Sequence, residues 1–102
     1  MAHMTASIDV VAGEIVPLTI NADTALGQGE TATISAMVKE ETSRQTIADA
    51  IVGTPQLTGD VVSLTLDARK LAPYNRYSLI TFLTISPGAK ISGIVTPLIC
   101  SH

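Results

Sequence analysis

The stretch Leu71-Ala72-Pro73-Tyr74-Asn75-Arg76-Tyr77 joins two runs that have the composition of β-strands, Val61 to Leu66 and Arg76 to Ile85. In both runs the residues divide into two alternating sets, one for the buried face of a sheet and one for its other face. This alternation is typical of β-strands. Pro73 has no backbone N–H to contribute to a ladder, so it separates the two strands. The stretch therefore predicts a turn through which the chain passes from one strand to the next.

The spacing Leu-x-Pro-x-x-x-Tyr, carried by Leu71, Pro73 and Tyr77, resembles the tyrosine corner of β-sandwich domains, most closely that of fibronectin type III domains. The resemblance implies that the chain crosses between two sheets and that the Tyr77 hydroxyl bonds back to the backbone of the crossing. The Trp usual in early strands of that family is absent. The fold implied is an all-β, antiparallel, seven-stranded immunoglobulin-like sandwich, with the fibronectin type III-like arrangement as its variant.

Five further runs are typical of strands and are separated by turn residues, which is the pattern of a small sandwich. They are Ile15 to Ile20, Glu30 to Lys39, Thr46 to Val52, Gln56 to Thr58 and Lys90 to Ile99. Pro17 predicts that the first of these lies at a sheet edge. The domain organisation expected is residues 1–4 as a cloning remnant or start, 5–13 as an arm or edge strand, 14–100 as the sandwich and 101–102 as a tail.

Composition argues against several partners. The net charge is −3, and the six basic residues are scattered, so no basic stripe exists to bind nucleic acid. No apolar run approaches ~18 residues, which argues against a membrane span. No signal peptide is seen, so we expect a virion location if the gene is phage-encoded and a cytoplasmic one otherwise. Cys100 is the single cysteine and cannot form an internal disulfide.

The side chains that carry catalysis are scarce. The two histidines, His3 and His102, lie at the ends of the chain, which leaves its body without an imidazole for a nucleophile–base pair or a metal site. Most of the nine acidic residues fall at predicted turns and show no spacing typical of paired catalytic carboxylates. We therefore expect no enzymatic activity, no catalytic or metal-binding residues and no cofactor.

The feature most suggestive of function is a pair of large apolar residues on one strand. If Tyr77, Leu79, Thr81 and Leu83 face the core, then Ile80 and Phe82 face outward and need a cover. The cover expected is either the N-terminal segment Ile8 to Val11 or a second subunit. The alternatives are a wrong assignment of faces, or apolar residues tolerated singly. The candidate interface comprises Ile80, Phe82, Ile91, Ile94, Val95, Ile8 and Val10.

A second, looser similarity concerns function. Gly29-Glu30-Thr31-Ala32-Thr33-Ile34 and, later, Gly59-Asp60-Val61-Val62-Ser63-Leu64 before the corner resemble small sandwich domains of tailed-phage virions. That resemblance implies a non-enzymatic structural protein, a capsid decoration or tail component, that contacts itself or other virion proteins. The alternative is a carbohydrate- or receptor-binding adhesion module of a bacterial surface protein, with the turns Asn21 to Gly29, Glu40 to Gln45 and Gly53 to Asp60 as binding loops.

Overall fold

The structure is a computed structural model that describes residues 2–4, 6–22, 27–86 and 90–100, with the backbone alone at 2–4 and 90–92. The described chain is all-β, and its one departure from strand and loop is a single 3₁₀ turn, Ala68–Lys70. Nine strands occur in these residues: β1 Ala2–Met4, β2 Ile8–Val10, β3 Ile15–Asn21, β4 Thr31–Glu40, β5 Thr46–Ile47, β6 Ile51–Thr58, β7 Val61–Asp67, β8 Asn75–Ser86 and β9 Lys90–Cys100.

The strands form two sheets that pack face to face, so the predicted sandwich-like all-β architecture is confirmed. The larger sheet has the order β1-β9-β8-β4-β5, with β2 also paired to β9, and the smaller has the order β3-β7-β6. The prediction that all pairing is antiparallel is wrong for the larger sheet. Both N-terminal strands pair with the edge of β9 that β8 leaves free, and both run parallel to it.

The N-terminal residues belong to the larger sheet. Ala2–Met4, expected to be a cloning remnant, pairs with Gly93 to Val95, and Ile8–Val10 pairs with Leu98 to Cys100. Pro97 falls at the gap between these two ladders, where its missing N–H breaks no pairing. Residues 101–102, expected to be a tail, lie outside the described residues.

The strand expected from Thr46 to Val52 is in fact two strands in different sheets. β5 pairs with β4 in the larger sheet, whereas β6 pairs with β7 in the smaller one. Asp49 adopts the left-handed conformation, with φ of 59°, and turns the chain between the sheets. Gly53 and Pro55, expected to end a strand, instead lie within β6, where the register shifts between Val52 and Gln56.

The core lies between the sheets and follows the alternation of the sequence. On β8, Tyr77, Leu79, Thr81 and Leu83 are all buried, which confirms the predicted inward face. The facing sheet contributes the inward residues of β3 and β7, among them Leu18, Leu64 and Leu66. This core fixes the orientation of β8 and therefore determines which side chains reach the outer surface.

The corner between β7 and β8 connects the two sheets as predicted. The Ala72 N–H donates to the Tyr77 hydroxyl at 2.8 Å, and Asn75 Nδ2 donates to the same oxygen at 3.3 Å. Leu71 is buried beneath the turn, and Tyr74 in its middle has a φ of 59°. Tyr77 is itself in the core, so the corner fixes which residues of β8 face inward, which we call the phase of the strand.

Candidate functional site

The candidate site is the outer face of the six-stranded sheet, which faces away from the core. Ile80 and Phe82 point to this face, as predicted, because every alternate residue of β8 is buried on the other side. Phe82 is 36% exposed, and Ile80 is half-buried among its neighbours on adjacent strands. The face assignment made from the corner motif is therefore confirmed.

The register builds an apolar row across three strands of this face. Met37 of β4 lies opposite Ile80, and Ile80 lies opposite Val95 of β9. Pro97 and Ile99 continue the same outer face along β9, and both are half-buried. We call Met37, Ile80, Phe82, Val95, Pro97 and Ile99 the outer apolar patch.

Phe82 also covers a gap in the sheet. It lies opposite Gly93, and a Cβ built at Gly93 would lie 3.6 Å from Phe82 Cε1. A Cβ at that distance would be in ordinary van der Waals contact with the ring, so the ring lies against Gly93, as aromatic residues do beside glycine in sheets. This contact explains why part of the Phe82 ring lies on the sheet. The rest of the ring is exposed to solvent.

Polar groups surround the outer apolar patch. At one end, the exposed Asp9 of β2 and Arg76 of β8 lie on either side of Ile99 in register, and Lys39 lies opposite Ser78. At the other end, the outward positions of β4 and β8 carry exposed hydroxyls, namely Thr31, Thr33, Ser35, Thr84 and Ser86. An apolar centre with a polar rim is the usual anatomy of a protein–protein interface.

Two residues predicted for the interface lie in the core instead. Ile94 is 1% exposed and Val10 is 2% exposed. Ile94 and Val95 are consecutive on β9, so they point to opposite faces and cannot both reach the outside. Val10 pairs with the buried Cys100 and shares its inward orientation.

The remaining predicted members have different positions. Ile8 is half-buried and packs against the core from the edge of the sheet. It lies in a strand beside β9, so the N-terminal segment extends the sheet and does not cover Ile80 and Phe82. The side chain of Ile91 lies outside the described residues. Of the seven predicted interface residues, Ile80, Phe82 and Val95 remain in the patch.

Sequence reasoning missed Met37, Pro97 and Ile99. Met37 shares a surface with Ile80 through the β4–β8 register, which a single sequence does not display. Pro97 and Ile99 could have been found by extending the alternation from Val95. Tyr74, in the middle of the corner, projects into solvent and is 83% exposed.

The clearest electrostatic feature lies at the corner, away from the patch. Asp67 accepts hydrogen bonds from Arg69 at 2.8 Å and 3.0 Å through the guanidinium, and at 3.1 Å through the backbone N–H. The guanidinium hydrogen bonds lower the pKa of the Asp67 carboxyl below its usual range, against the opposing effect of burial. This ion pair caps the 3₁₀ turn, which gives it a structural role.

Among the described residues, no group of three or more His, Cys, Asp or Glu side chains is placed to hold a metal ion. The described part of the chain likewise contains no helix long and apolar enough to cross a membrane. Comparison of the sequence with models of known protein families and with curated proteins gives no match. The candidate site is therefore defined by geometry alone.

Proposed function

We propose that this protein is a non-enzymatic structural protein that acts through protein–protein contacts, as a capsid-decoration or tail component of a phage or prophage virion. The observation that carries the proposal is the outer apolar patch. Large apolar side chains on three adjacent strands of a sheet, on the face away from the core, lower the free energy of the protein when a partner covers them. The partner proposed is another copy of the chain or another virion protein.

The finer fold assignment belongs to the same proposal. An immunoglobulin-like, fibronectin type III-like topology is supported by the strand order, in which β3-β7-β6 faces β9-β8-β4-β5. It is supported also by the hydrogen bond of the Tyr77 hydroxyl to the corner backbone and by the seven strands from β3 to β9. Domains of this architecture carry many functions, so the fold alone does not assign one.

The virion assignment rests on the two stretches that resemble tailed-phage sandwich domains and on the patch. In this role the rigid core fixes the shape of the domain, and the outer face docks on a multimeric shell or tail. The genes that flank this one test the assignment. We expect terminase, portal and capsid genes beside it, and a neighbourhood of secretion or surface-anchoring genes would contradict it.

Contact through the patch is tested by light scattering over a series of protein concentrations. We expect the wild type to form species larger than a monomer as concentration rises, and Phe82→Lys to reduce them. Val52→Lys is the matched control, because Val52 is also an exposed apolar residue, at 45%, but lies in the smaller sheet. A strict monomer at high concentration would overturn self-association, and equal effects of both substitutions would remove the patch as its cause.

One observation favours a second candidate, a carbohydrate- or receptor-binding adhesion module. Tyr74 is 83% exposed at the corner, and an exposed aromatic ring can stack on a sugar. A glycan array probed with the wild type and with Tyr74→Ala tests this candidate. Binding lost in Tyr74→Ala would favour it, and the absence of any bound glycan would exclude a glycan-binding role.

A further inference from the structure

The second surface suited to association is the edge of β4. Among the described residues, β5 pairs with β4 only at Val38 and Lys39, so the segment 31–37 is paired with another strand on one side alone. This open edge reads Thr31-Ala32-Thr33-Ile34-Ser35-Ala36-Met37. It contains no charge and no proline, the two residue classes that natural proteins use to protect sheet edges.

The backbone groups that point out of this edge can be identified from the hairpin that follows. The Glu40 N–H donates to the Gln45 carbonyl on the β5 side, and the Glu41 N–H donates to the Arg76 carbonyl on the β8 side. Because strand residues alternate, the even-numbered residues Ala32, Ile34 and Ala36 direct their N–H and C=O groups outward. The edge therefore presents three donors and three acceptors in a regular row.

The other edges in the described part of the chain are protected or, at β1, β2 and β5, only two or three residues long. β3 carries Pro17, whose missing N–H falls on its open side, because the Ala22 N–H points towards β7. β6 contains a left-handed Gly53, Pro55 and a register shift. β9 is covered by β1 and β2. The β4 edge thus differs from each of these.

We propose that two copies of this chain pair through their β4 edges, antiparallel and about a two-fold axis at Ile34. In this register Ile34 faces Ile34 and Ala32 faces Ala36, so the six outward donors of the two copies meet their six outward acceptors. Thr33 of each copy then lies opposite Ser35 of the other, a favourable pair of small hydroxyl side chains.

The charges at the two ends of the edge select a second copy in this orientation. Glu30 precedes the open segment and Lys39 follows it. Antiparallel pairing brings the acidic end of each edge alongside the basic end of the other, whereas parallel pairing in register would place like-charged ends together. The edge is therefore complementary to itself.

Edge pairing deepens the proposed function. The two-fold axis that relates the two copies is perpendicular to the sheet. Both outer apolar patches then face the same way on one continuous sheet, which doubles the surface available for docking on a shell or tail. The inference rests on the proposed self-association, yet it involves a different surface. Substitutions at the edge and in the patch therefore test the two separately.

Disulfide trapping tests the register directly. Thr33→Cys and Ser35→Cys proteins are prepared separately, mixed and oxidised; the native Cys100 is buried. In the proposed register positions 33 and 35 lie opposite each other, with Cβ atoms about 4.5–5.5 Å apart, close to what a disulfide needs. Positions 33 and 33 are diagonal, about 7–8 Å apart. We expect a disulfide-linked dimer from the mixture and little from either protein alone.

A charge substitution supplies the second measurement. Thr33→Lys places a charge at the edge and is expected to weaken self-association by about tenfold or more in sedimentation velocity. Thr84→Lys is the matched control, because Thr84 lies opposite Thr33 on the same face, but on a strand that is paired on both sides. Circular dichroism of each variant confirms that it is folded.

The outcomes separate the two hypotheses. A mixed disulfide, with weakening by Thr33→Lys and not by Thr84→Lys, supports edge pairing. If the wild type associates, Phe82→Lys dissociates it and the mixture gives no disulfide, the edge proposal is overturned and the proposed function stands. A linked dimer from Thr33→Cys alone would overturn the antiparallel register. A monomer at every concentration would overturn both proposals.

Discussion

The hydroxyl oxygen of Tyr77 lies 2.8 Å from the backbone nitrogen of Ala72 and accepts its hydrogen bond. This contact joins the start of β8 to the turn that brings the chain from the smaller sheet to the larger one. Since Tyr77 is buried, its position fixes which residues of β8 face the core. The outward position of Ile80 and Phe82, and with it the outer apolar patch, follows from that phase.

Replacing Tyr77 with Phe should destabilise the fold. The substitution removes an acceptor for the Ala72 N–H and keeps the ring in the core, so we expect a loss of roughly 1–3 kcal/mol in the free energy of unfolding. Urea denaturation measures the change. Tyr74→Phe is the control, because the Tyr74 side chain projects into solvent. Equal midpoints for Tyr77→Phe and the wild type would mean that the corner hydrogen bond contributes nothing.

Position 74 should prefer glycine to alanine. Tyr74 has a φ of 59°, a conformation that costs residues with a Cβ atom about 1–2 kcal/mol and costs glycine almost nothing. We therefore expect Tyr74→Gly to be more stable than Tyr74→Ala by about 1 kcal/mol in urea denaturation. Greater stability of the alanine variant would contradict the left-handed backbone at this turn.

The Asp67–Arg69 ion pair should make stability sensitive to acid. The pKa of Asp67 is lowered in the folded protein, chiefly by its hydrogen bonds to the guanidinium, relative to about 3.9 for an unfolded aspartate. Its contribution is therefore fully present above the unfolded pKa and is lost as pH falls through the folded pKa. Urea denaturation from pH 7 down to pH 2 should show this loss in the wild type and a smaller one in Asp67→Asn.

A control for the acid experiment is Asp9→Asn, which removes one carboxylate from an exposed position on β2. This variant should retain the acid sensitivity of the wild type that arises from Asp67. An NMR titration gives the same information at the level of the residue. A carboxyl of Asp67 that titrates at its ordinary value in the folded protein would contradict the ion pair.

A buried hydroxyl offers a stabilising substitution. Thr81 is fully buried on the inward face of β8, and its Oγ1 has no hydrogen-bond partner among the described residues. Thr81→Val keeps the shape and removes the unpaired polar group, so we expect a gain of about 1 kcal/mol in the free energy of unfolding. Thr84→Val, on the exposed face of the same strand, should change it little. A loss of stability in Thr81→Val would indicate that the hydroxyl is bonded.

Much of the fold could be predicted because its signals are local. Alternation with a period of two marks β3, β4, β7 and β8, and the spacing from Leu71 to Tyr77 marks the crossing between sheets. The division of Thr46 to Val52 could not be predicted, since it depends on one left-handed residue, Asp49, and on pairing with two different sheets. The parallel N-terminal strands are only three residues each, too short for a period to appear.

The candidate site could be predicted in part for the same reason. Ile80 and Phe82 follow from the phase of a single strand, whereas Met37 joins them only through the register between β4 and β8. The error at Ile94 came from treating neighbours on one strand as members of one face, although consecutive strand residues point in opposite directions. The open β4 edge follows from strand order, which is not visible in one sequence.

The central claim is that a protein partner covers the outer apolar patch. NMR of the wild type with a soluble paramagnetic probe tests it most directly, by comparing methyl groups at low and high protein concentration. We predict that the methyl groups of Ile80 and Val95 become protected from the probe as concentration rises, whereas those of Val52 stay accessible. Accessibility of Ile80 and Val95 that does not change with concentration would contradict self-association through the patch.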